Sequence, residues 1–481
     1  MRRLSGLDAG FLSMETASMH MQVASACIFD PAGVDGGWTF DRVRALVESR
    51  LALVPPFRRR LVEVPFQLHH PVWVEDPDFD LDYHLRRAAL PSPGGVGELA
   101  GFAADVMGRP LDRSRPLWEM YVLEGLEGGR SALVAKTHHA AIDGVSGAEL
   151  MAQLLDVEPN PGERSSPGEP SRGKPSSGEP PPADPWRPDR VPSDFEMLAY
   201  AVSSLALQPA ALVVAVDHAV KVGLNLAKRN REPDVRPPPA PFSAPRTSLN
   251  QSITPHRRCA FTRLPLDDMR AVRAALGGTV NDVVLAVAAG ALRHYLAARG
   301  EDPEESLVAL VPISVRGEGE EGTLGNRVSA MLVSLATAVA DPAERLRVIS
   351  EGTRQAKAQG RAIGAGTLTD WAELAAPAVA ALAARLVSRM KVFDLVRPAF
   401  NVVVSNVPGP GFPLYCAGAP MEAIYPMGPV ADGAGLNMTV MSYRGTMFFG
   451  LVACRETVPA LDEVADHLGG ALDELVEAAR P

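Results

Sequence analysis

From Pro159 the chain reads PNPGERSSPGEPSRGKPSSGEPPPADPWRP, and the whole stretch to Pro192 lacks apolar periodicity. Such a segment cannot contribute a core. It reads as a solvated linker, partly in polyproline II conformation. It holds many of the chain's 43 prolines, a share well above the usual ~5%. A second proline-rich stretch, EPDVRPPPAPFSAPR, runs from Glu232 to Arg246. Between the two, Phe195–Arg229 reads as a helix or helical pair with a break near Pro209. The chain therefore divides into residues 1–155, a connector over 156–249, and residues 250–481. Its 481 residues allow two or three domains, and the connector argues for two.

Both outer blocks mix strands and helices. In the first, His20–Phe29 is strand-like, and Val43, Leu46, Val47 and Leu51 give Phe40–Leu53 helical spacing. Trp118–Leu123 and Ala132–Thr137 read as strands joined around Gly128-Gly129, followed by a helix over Val145–Leu155. In the second, Val280–Ala297 and Pro342–Ala358 read as helices. Leu307–Val315, Val328–Leu335 and Asn401–Ser405 read as strands. Leu436–Tyr443 and Thr446–Cys454 form a hairpin around Arg444-Gly445, and Val458–Ala479 is a closing helix. The expected fold class is α/β, arranged as two α+β sandwiches.

Charge and cysteine usage remove several function classes. The net charge of −10 and pI near 5.6 leave no basic face for a nucleic acid, which is excluded as a partner. Cys27, Cys259, Cys416 and Cys454 include no CxxC pair and form no disulfide framework, as expected in a reducing cytosol. Met1-Arg2-Arg3 is followed by no apolar stretch, so no secretory signal is expected there. The most apolar window, Leu198–Val216, contains Ser203, Ser204, Gln208 and Pro209. It falls short of the ~20 apolar residues of a membrane span. The connector's Leu205, Leu212, Val213, Val216 and Val220 either pack on the body or touch lipid.

The residues best suited to chemistry are Thr137-His138-His139-Ala140-Ala141-Ile142-Asp143-Gly144, between a strand and a helix. Side chains alternate along an extended chain, so one of the adjacent histidines can face a cleft while the other packs. A neutral imidazole can take a proton from an alcohol or thiol near neutral pH. A substrate hydroxyl can then attack directly, without a protein nucleophile. Asp143 can lock the loop by an ion pair or backbone bonds, and Gly144 permits a turn. The alternative is a loop histidine satisfied by its surroundings. His69-His70 is an internal control: it lacks the Asp and Gly at that spacing and is read as structural. A zinc site at His138-His139 lacks further ligands and HExxH, so no metal is expected. Gly317-Glu318-Gly319-Glu320-Glu321-Gly322 matches GxGxxG but opens no helix, and its glutamates would repel a pyrophosphate.

HHAAIDG resembles the HHxxxDG signature of the CoA-dependent acyltransferase superfamily. Further segments narrow the resemblance: LSGLDAGFLSMET, PLDRSRPLWEMYVLEGL, GGTVNDVVLAVAAGALRHYL, VPISVR, LGNRVSAMLVSL, NVVVSNVPGP and GLNMTVMSYRGTMFFGLVAC. In this order they are similar to the bacterial wax ester synthase/diacylglycerol acyltransferase family, over both blocks but not the proline-rich linker.

The resemblance implies two chloramphenicol-acetyltransferase-like domains with a tunnel at their interface. It implies fatty acyl transfer from acyl-CoA, a co-substrate and not a resident cofactor, to diacylglycerol or a long-chain alcohol. His139 would be the general base, beside His138 and Gly144. Asp143 would orient, with Arg316 as its suggested partner. Asn281-Asp282 matches the family's ND motif and reads as site support or as a helix N-cap. Pro116-Leu117-Trp118 matches the PLW motif and reads mainly as packing near the tunnel. Ser405, Asn406, Asn437 and Thr439 are candidates to donate to the oxyanion, against plain sheet hydrogen bonding. The implied setting is cytoplasmic, with association at the inner membrane or lipid droplets. The competing readings are an acyltransferase for another alcohol or amine, and a catalytically silent lipid-binding member.

Overall fold

A computed structural model of the chain describes residues 2–65, 68–141, 147–159, 188–193, 195–198, 238–301, 304–314, 328–363, 386, 388, 390 and 394–480. Its strands, in chain order, are β1 (Arg2–Arg3), β2 (Gln22–Phe29), β3 (Arg59–Val62), β4 (Val72–Glu75), β5 (Leu85–Ala89), β6 (Trp118–Glu124), β7 (Ser131–His138), β8 (Arg257–Pro265), β9 (Val308–Ser314), β10 (Val328–Ser334), β11 (Val402–Val407), β12 (Tyr415–Cys416), β13 (Ala419–Met427), β14 (Leu436–Tyr443) and β15 (Thr446–Cys454). Two six-stranded sheets carry the fold, in the orders β12-β13-β2-β7-β6-β5 and β10-β9-β11-β14-β15-β8. A small sheet, β1-β4-β3, stands beside the first.

The local elements follow from their sequences. The helix Val280–Ala297 begins in a capping box. The Thr279 side chain accepts the Asp282 N–H, and the Asp282 carboxylate accepts the Thr279 N–H, which satisfies two donors that a helix start otherwise leaves open. The β14–β15 hairpin turns at Arg444 and Gly445, with φ of 45° and 79°, the doubly left-handed turn that matches strand twist. The helix Pro342–Ile363 runs past the expected end at Ala358. The expected connector helix lies almost wholly outside the described residues, apart from a turn at 195–198.

The sheets do not divide where the connector suggests. β12 and β13 belong to the chain after residue 250, yet they complete the first sheet, with β13 antiparallel to β2. The reason this strand is hidden in the sequence is chemical. APMEAIYPM carries Pro420 and Pro426, which ordinarily argue against a strand. β12 pairs only as far as Pro420, so at Pro426 one side of β13 has no strand partner among the described residues. The missing N–H is tolerated there.

Among the described residues two large apolar cores result, with smaller clusters beside them. One gathers Phe29, Val47, Leu99, Trp118, Ile424 and Met427, and extends to Tyr443 and Phe448 of the second sheet. The other wraps the nearly all-buried helix Val280–Ala297 against β9, β11, β14 and the helix Leu461–Ala478. At the seam the helix Val96–Met107 packs on β8, and Arg257 of β8 donates to the Ser18 carbonyl of the first block. The four cysteines are buried and form no disulfide.

Among the described residues no single helix is long and apolar enough to cross a membrane. The pair Leu266–Leu276 and Val280–Ala297 passes on composition only when joined across a 102° bend. The burial of the second helix within the core accounts for its apolar sequence.

Candidate active site

β7 ends at His138, and the chain then turns sharply. The His138 N–H donates to Leu117 O at 3.0 Å, on the β6 side. The His139 N–H donates to Met21 O at 2.8 Å, on the β2 side. The adjacent amides are thus held by opposite neighbours, and the side chains alternate as strand geometry requires. The Ala141 N–H closes the turn on His138 O at 2.9 Å.

The two imidazoles have different surroundings. Nδ1 of His138 accepts the Ala140 N–H at 3.0 Å, which leaves Nε2 as the ring nitrogen able to carry the proton. That nitrogen stands 3.2 Å from Oε1 of Glu15. The same Oε1 accepts the Met21 N–H at 2.9 Å. Oε2 of Glu15 accepts from Arg113 at 2.7 Å, and Arg113 also donates to Leu12 O at 2.7 Å. Burial alone would raise the Glu15 carboxyl. His138 and Arg113 outweigh it and bring the group down to about 2. His139 is half-buried, with the Phe11 ring 4.2 Å away, tilted by 30°. Burial pushes the His139 imidazole down to about 4, and the neighbouring His138 ring acts in the same direction, against a backbone hydrogen bond that favours the proton. His139 is therefore neutral at physiological pH and able to accept a proton.

The segments beneath the turn explain its rigidity. Leu117, Ala140 and Ala141 pack with Leu4, Ala9 and Leu12, the last two on the helix Gly6–Met14 that also carries Phe11. Trp118 is 1% exposed. Its ring stacks between Phe57 and His84 at 4.4 and 4.6 Å, and its Nε1–H donates to Phe57 O at 2.8 Å. Pro116-Leu117-Trp118 thus acts in packing and, through Leu117 O, as a backbone support for His138.

The other sequence-predicted residues are more dispersed. The N-cap role expected of Asn281-Asp282 falls to Thr279, and Asp282 is the third residue of that box. Its carboxylate also accepts from Thr353 at 2.6 Å and Ser350 at 3.3 Å, so its hydrogen bonds tie the helix to Pro342–Ile363. Asn437 donates to Pro429 O at 2.9 Å and accepts from Thr439 at 2.8 Å, so both are occupied with structure. Ser405 and Asn406 lie half-buried on β11. Asp143, Gly144 and Arg316 lie outside the described residues, as does the GxGxxG stretch. His69 and His70 are buried together, edge to face at 5.3 Å. Glu15, Arg113 and Phe11 are the residues that sequence reasoning missed.

A surface cleft of about 630 Å³ lies among Arg293, Arg345 and Glu474 and contains none of the predicted site residues.

Comparison with known proteins decides the family. The wax ester synthase/diacylglycerol acyltransferase catalytic domain matches residues 4–284, and the C-terminal domain of that family matches residues 324–476. The chain belongs to the wax ester synthase/diacylglycerol acyltransferase family. A putative diacylglycerol O-acyltransferase of Mycobacterium tuberculosis is 38% identical over 482 residues, covering 100% of this chain and 91% of that protein. Another from Mycobacterium bovis is 36% identical, covering 98% of each. The structure of a wax ester synthase/diacylglycerol acyltransferase from Marinobacter aquaeolei VT8 aligns with a TM-score of 0.66 and 32% identity, over 99% of both chains. The starter condensation domain of rhizomide synthetase aligns with a TM-score of 0.56 at 13% identity, over 99% of this chain and 94% of that one. It shares the fold of this wax ester synthase/diacylglycerol acyltransferase family member. The two-domain architecture expected from the resemblance is therefore the observed one.

Proposed function

We propose that this chain moves a fatty acyl group from acyl-CoA to the hydroxyl of diacylglycerol or of a long-chain alcohol, with His139 as general base. The observation that carries this reading is the half-buried His139 imidazole just past the end of β7, held by the bond from its backbone N–H to Met21 O in the family's HHxxxDG position; burial holds that ring down to about 4. His139 takes the proton of the acceptor hydroxyl as the oxygen attacks the thioester carbonyl. When the intermediate collapses, the C–S bond breaks and the proton passes to the departing CoA sulfur. An ester and free CoA result. Asp143 orients the loop, with Arg316 as its partner. The developing oxyanion needs positioned donors. Ser405 and Asn406 serve best, because among the described residues neither side chain is engaged in a hydrogen bond, whereas Asn437 and Thr439 are. Acyl-CoA is a substrate, and the chemistry calls for no resident cofactor.

The acceptors are lipids, so the setting is cytoplasmic and peripheral to a membrane or lipid droplet. Leu395 and Met390, 78% and 67% exposed, offer apolar contact. The test is CoA release and ester formation from palmitoyl-CoA with vesicles containing diacylglycerol, with hexadecanol, and with no acceptor. CoA release that depends on acceptor is expected. Failure to form ester with either acceptor overturns the reading, and protein that does not sediment with the vesicles overturns the peripheral setting.

The pH dependence has a definite sign. A base held near 4 in the fold, below the ordinary ~6.5, stays neutral across the working range. We expect kcat/KM to be level from roughly pH 6 to 8, with an acid limb below it. A limb at or above the ordinary imidazole value contradicts the assignment. The unfolded chain binds more protons at this histidine between the two values, so its contribution to stability is full above ~6.5 and lost as pH falls towards 4. Glu15 acts in the same direction lower down: its contribution is present above 4.5 and lost as pH falls towards 2.

A further inference from the structure

We infer that Glu15 is a positioning residue for acyl transfer, acting through His138 and Met21 on the turn that carries His139. The inference rests on His139 being the base.

The connections form a closed loop. Glu15 Oε1 holds the Met21 N–H, and the Met21 carbonyl holds the His139 N–H. The same Oε1 faces Nε2 of His138 at 3.2 Å, and Nδ1 of that ring holds the Ala140 N–H. One carboxylate oxygen thus reaches the amides of both His139 and Ala140, each through a single intermediary. Those amides fix the backbone direction at the base, and so the position of its imidazole. Arg113 holds the other oxygen and is itself tied to Leu12 O. The carboxylate therefore cannot rotate away, and the helix Gly6–Met14 that brings Phe11 onto His139 is held by the same unit.

This arrangement also accounts for the pair of histidines. His138, 1% exposed, cannot meet a substrate. Its Nδ1 accepts a backbone amide while its Nε2 lies 3.2 Å from the Glu15 carboxylate, so the ring sits between the two. A buried carboxylate is costly unless fully paired. This one has donors at both oxygens and lies beside an imidazole, so it is a stable, rigid anchor. A misplacement of about 1 Å at a reacting group can cost on the order of 100-fold in rate, so an anchor one shell removed has a large lever on kcat.

The experiment is a double-mutant cycle in the full-length chain, assayed with palmitoyl-CoA and diacylglycerol vesicles, with thermal unfolding of each variant. Glu15→Gln keeps the shape and an acceptor oxygen but places an amide group near Arg113. It is expected to lower kcat about 10- to 100-fold, leaving KM for acyl-CoA within about twofold. His138→Asn keeps an acceptor near the Nδ1 position and removes Nε2. Adding Glu15→Gln to His138→Asn should cost little more, because the path is already cut. A merely structural ion pair predicts additive losses that follow the unfolding midpoint, and that result overturns the inference. Wild-type kcat in a folded Glu15→Gln protein also overturns it. Should that variant not fold, Glu15→Asp, which keeps the charge and withdraws the carboxylate, must show the same fall in kcat. A His139→Ala arm separates the two readings. Full activity there removes the base assignment itself. Loss there, with Glu15→Gln unaffected, removes only the role of Glu15.

Discussion

His139→Ala is expected to lower acyl transfer about 1,000-fold while leaving the unfolding transition nearly unchanged. General-base catalysis contributes typically 10²- to 10⁴-fold, and each tenfold corresponds to about 1.4 kcal/mol of barrier. The structure explains why the fold should survive. The hydrogen bond that holds residue 139 to Met21 uses the backbone N–H, which alanine keeps. The bonds at His138, Ala140 and Ala141 also remain. The loss includes the imidazole's contact with Phe11, a half-buried packing term. Acyl transfer is followed by CoA thiol release with acceptor present. Equal rates from wild type and variant would end the general-base assignment. A variant that loses activity only in step with its melting temperature would assign His139 to structure.

The site was legible in the sequence where chemistry is local and hidden where it is not. HHAAIDG stands on seven consecutive residues, so the strand end and the alternation of the two rings could be read directly. β7, the β14–β15 hairpin and the helix Val280–Ala297 lie where periodicity put them, because each has a clear apolar pattern and turn or cap residues. The Thr279 box shows the limit of residue type alone: Asn281 and Asp282 are both good N-caps, yet the hydroxyl one turn earlier takes that place. Glu15 meets His138 across 123 positions of sequence, and no local spacing encodes that contact. The serine at position 5 and the aspartate at position 8 could have signalled the helix Gly6–Met14, since the Ser5 side chain caps it. They could not have signalled what its far end touches. β13 was hidden for the opposite reason. Its prolines gave a true local signal, and at Pro426 tertiary placement, with no strand paired on one side, overrode it.

That placement leads to the second large effect, at Gly450. This residue lies inside β15, paired with Thr439 of β14 and Phe261 of β8. A Cβ at position 450 would stand 1.8 Å from Pro426 O and 2.8 Å from Pro426 C. These are backbone atoms of β13, which is itself paired to β2 through Pro426 and Ser25. No side-chain rotation can relieve the clash, so the first sheet must move relative to the second by more than an ångström. Overpacking a core typically costs 1–3 kcal/mol, and occasionally more. With backbone on both sides we expect Gly450→Ala to lose about 3 kcal/mol or more, or to fail to fold. It should be read by urea midpoint and soluble yield. The same chemical change at Gly470 supplies the contrast. That glycine is exposed in the helix Leu461–Ala478 with nothing within 4 Å of a would-be Cβ. There alanine should stabilise by up to about 1 kcal/mol through helix propensity. Opposite signs at the two sites locate the constraint in the seam between the sheets. Equal and small effects would mean that β13 and β15 can separate freely, and the two halves would then not be held in register by this crossing.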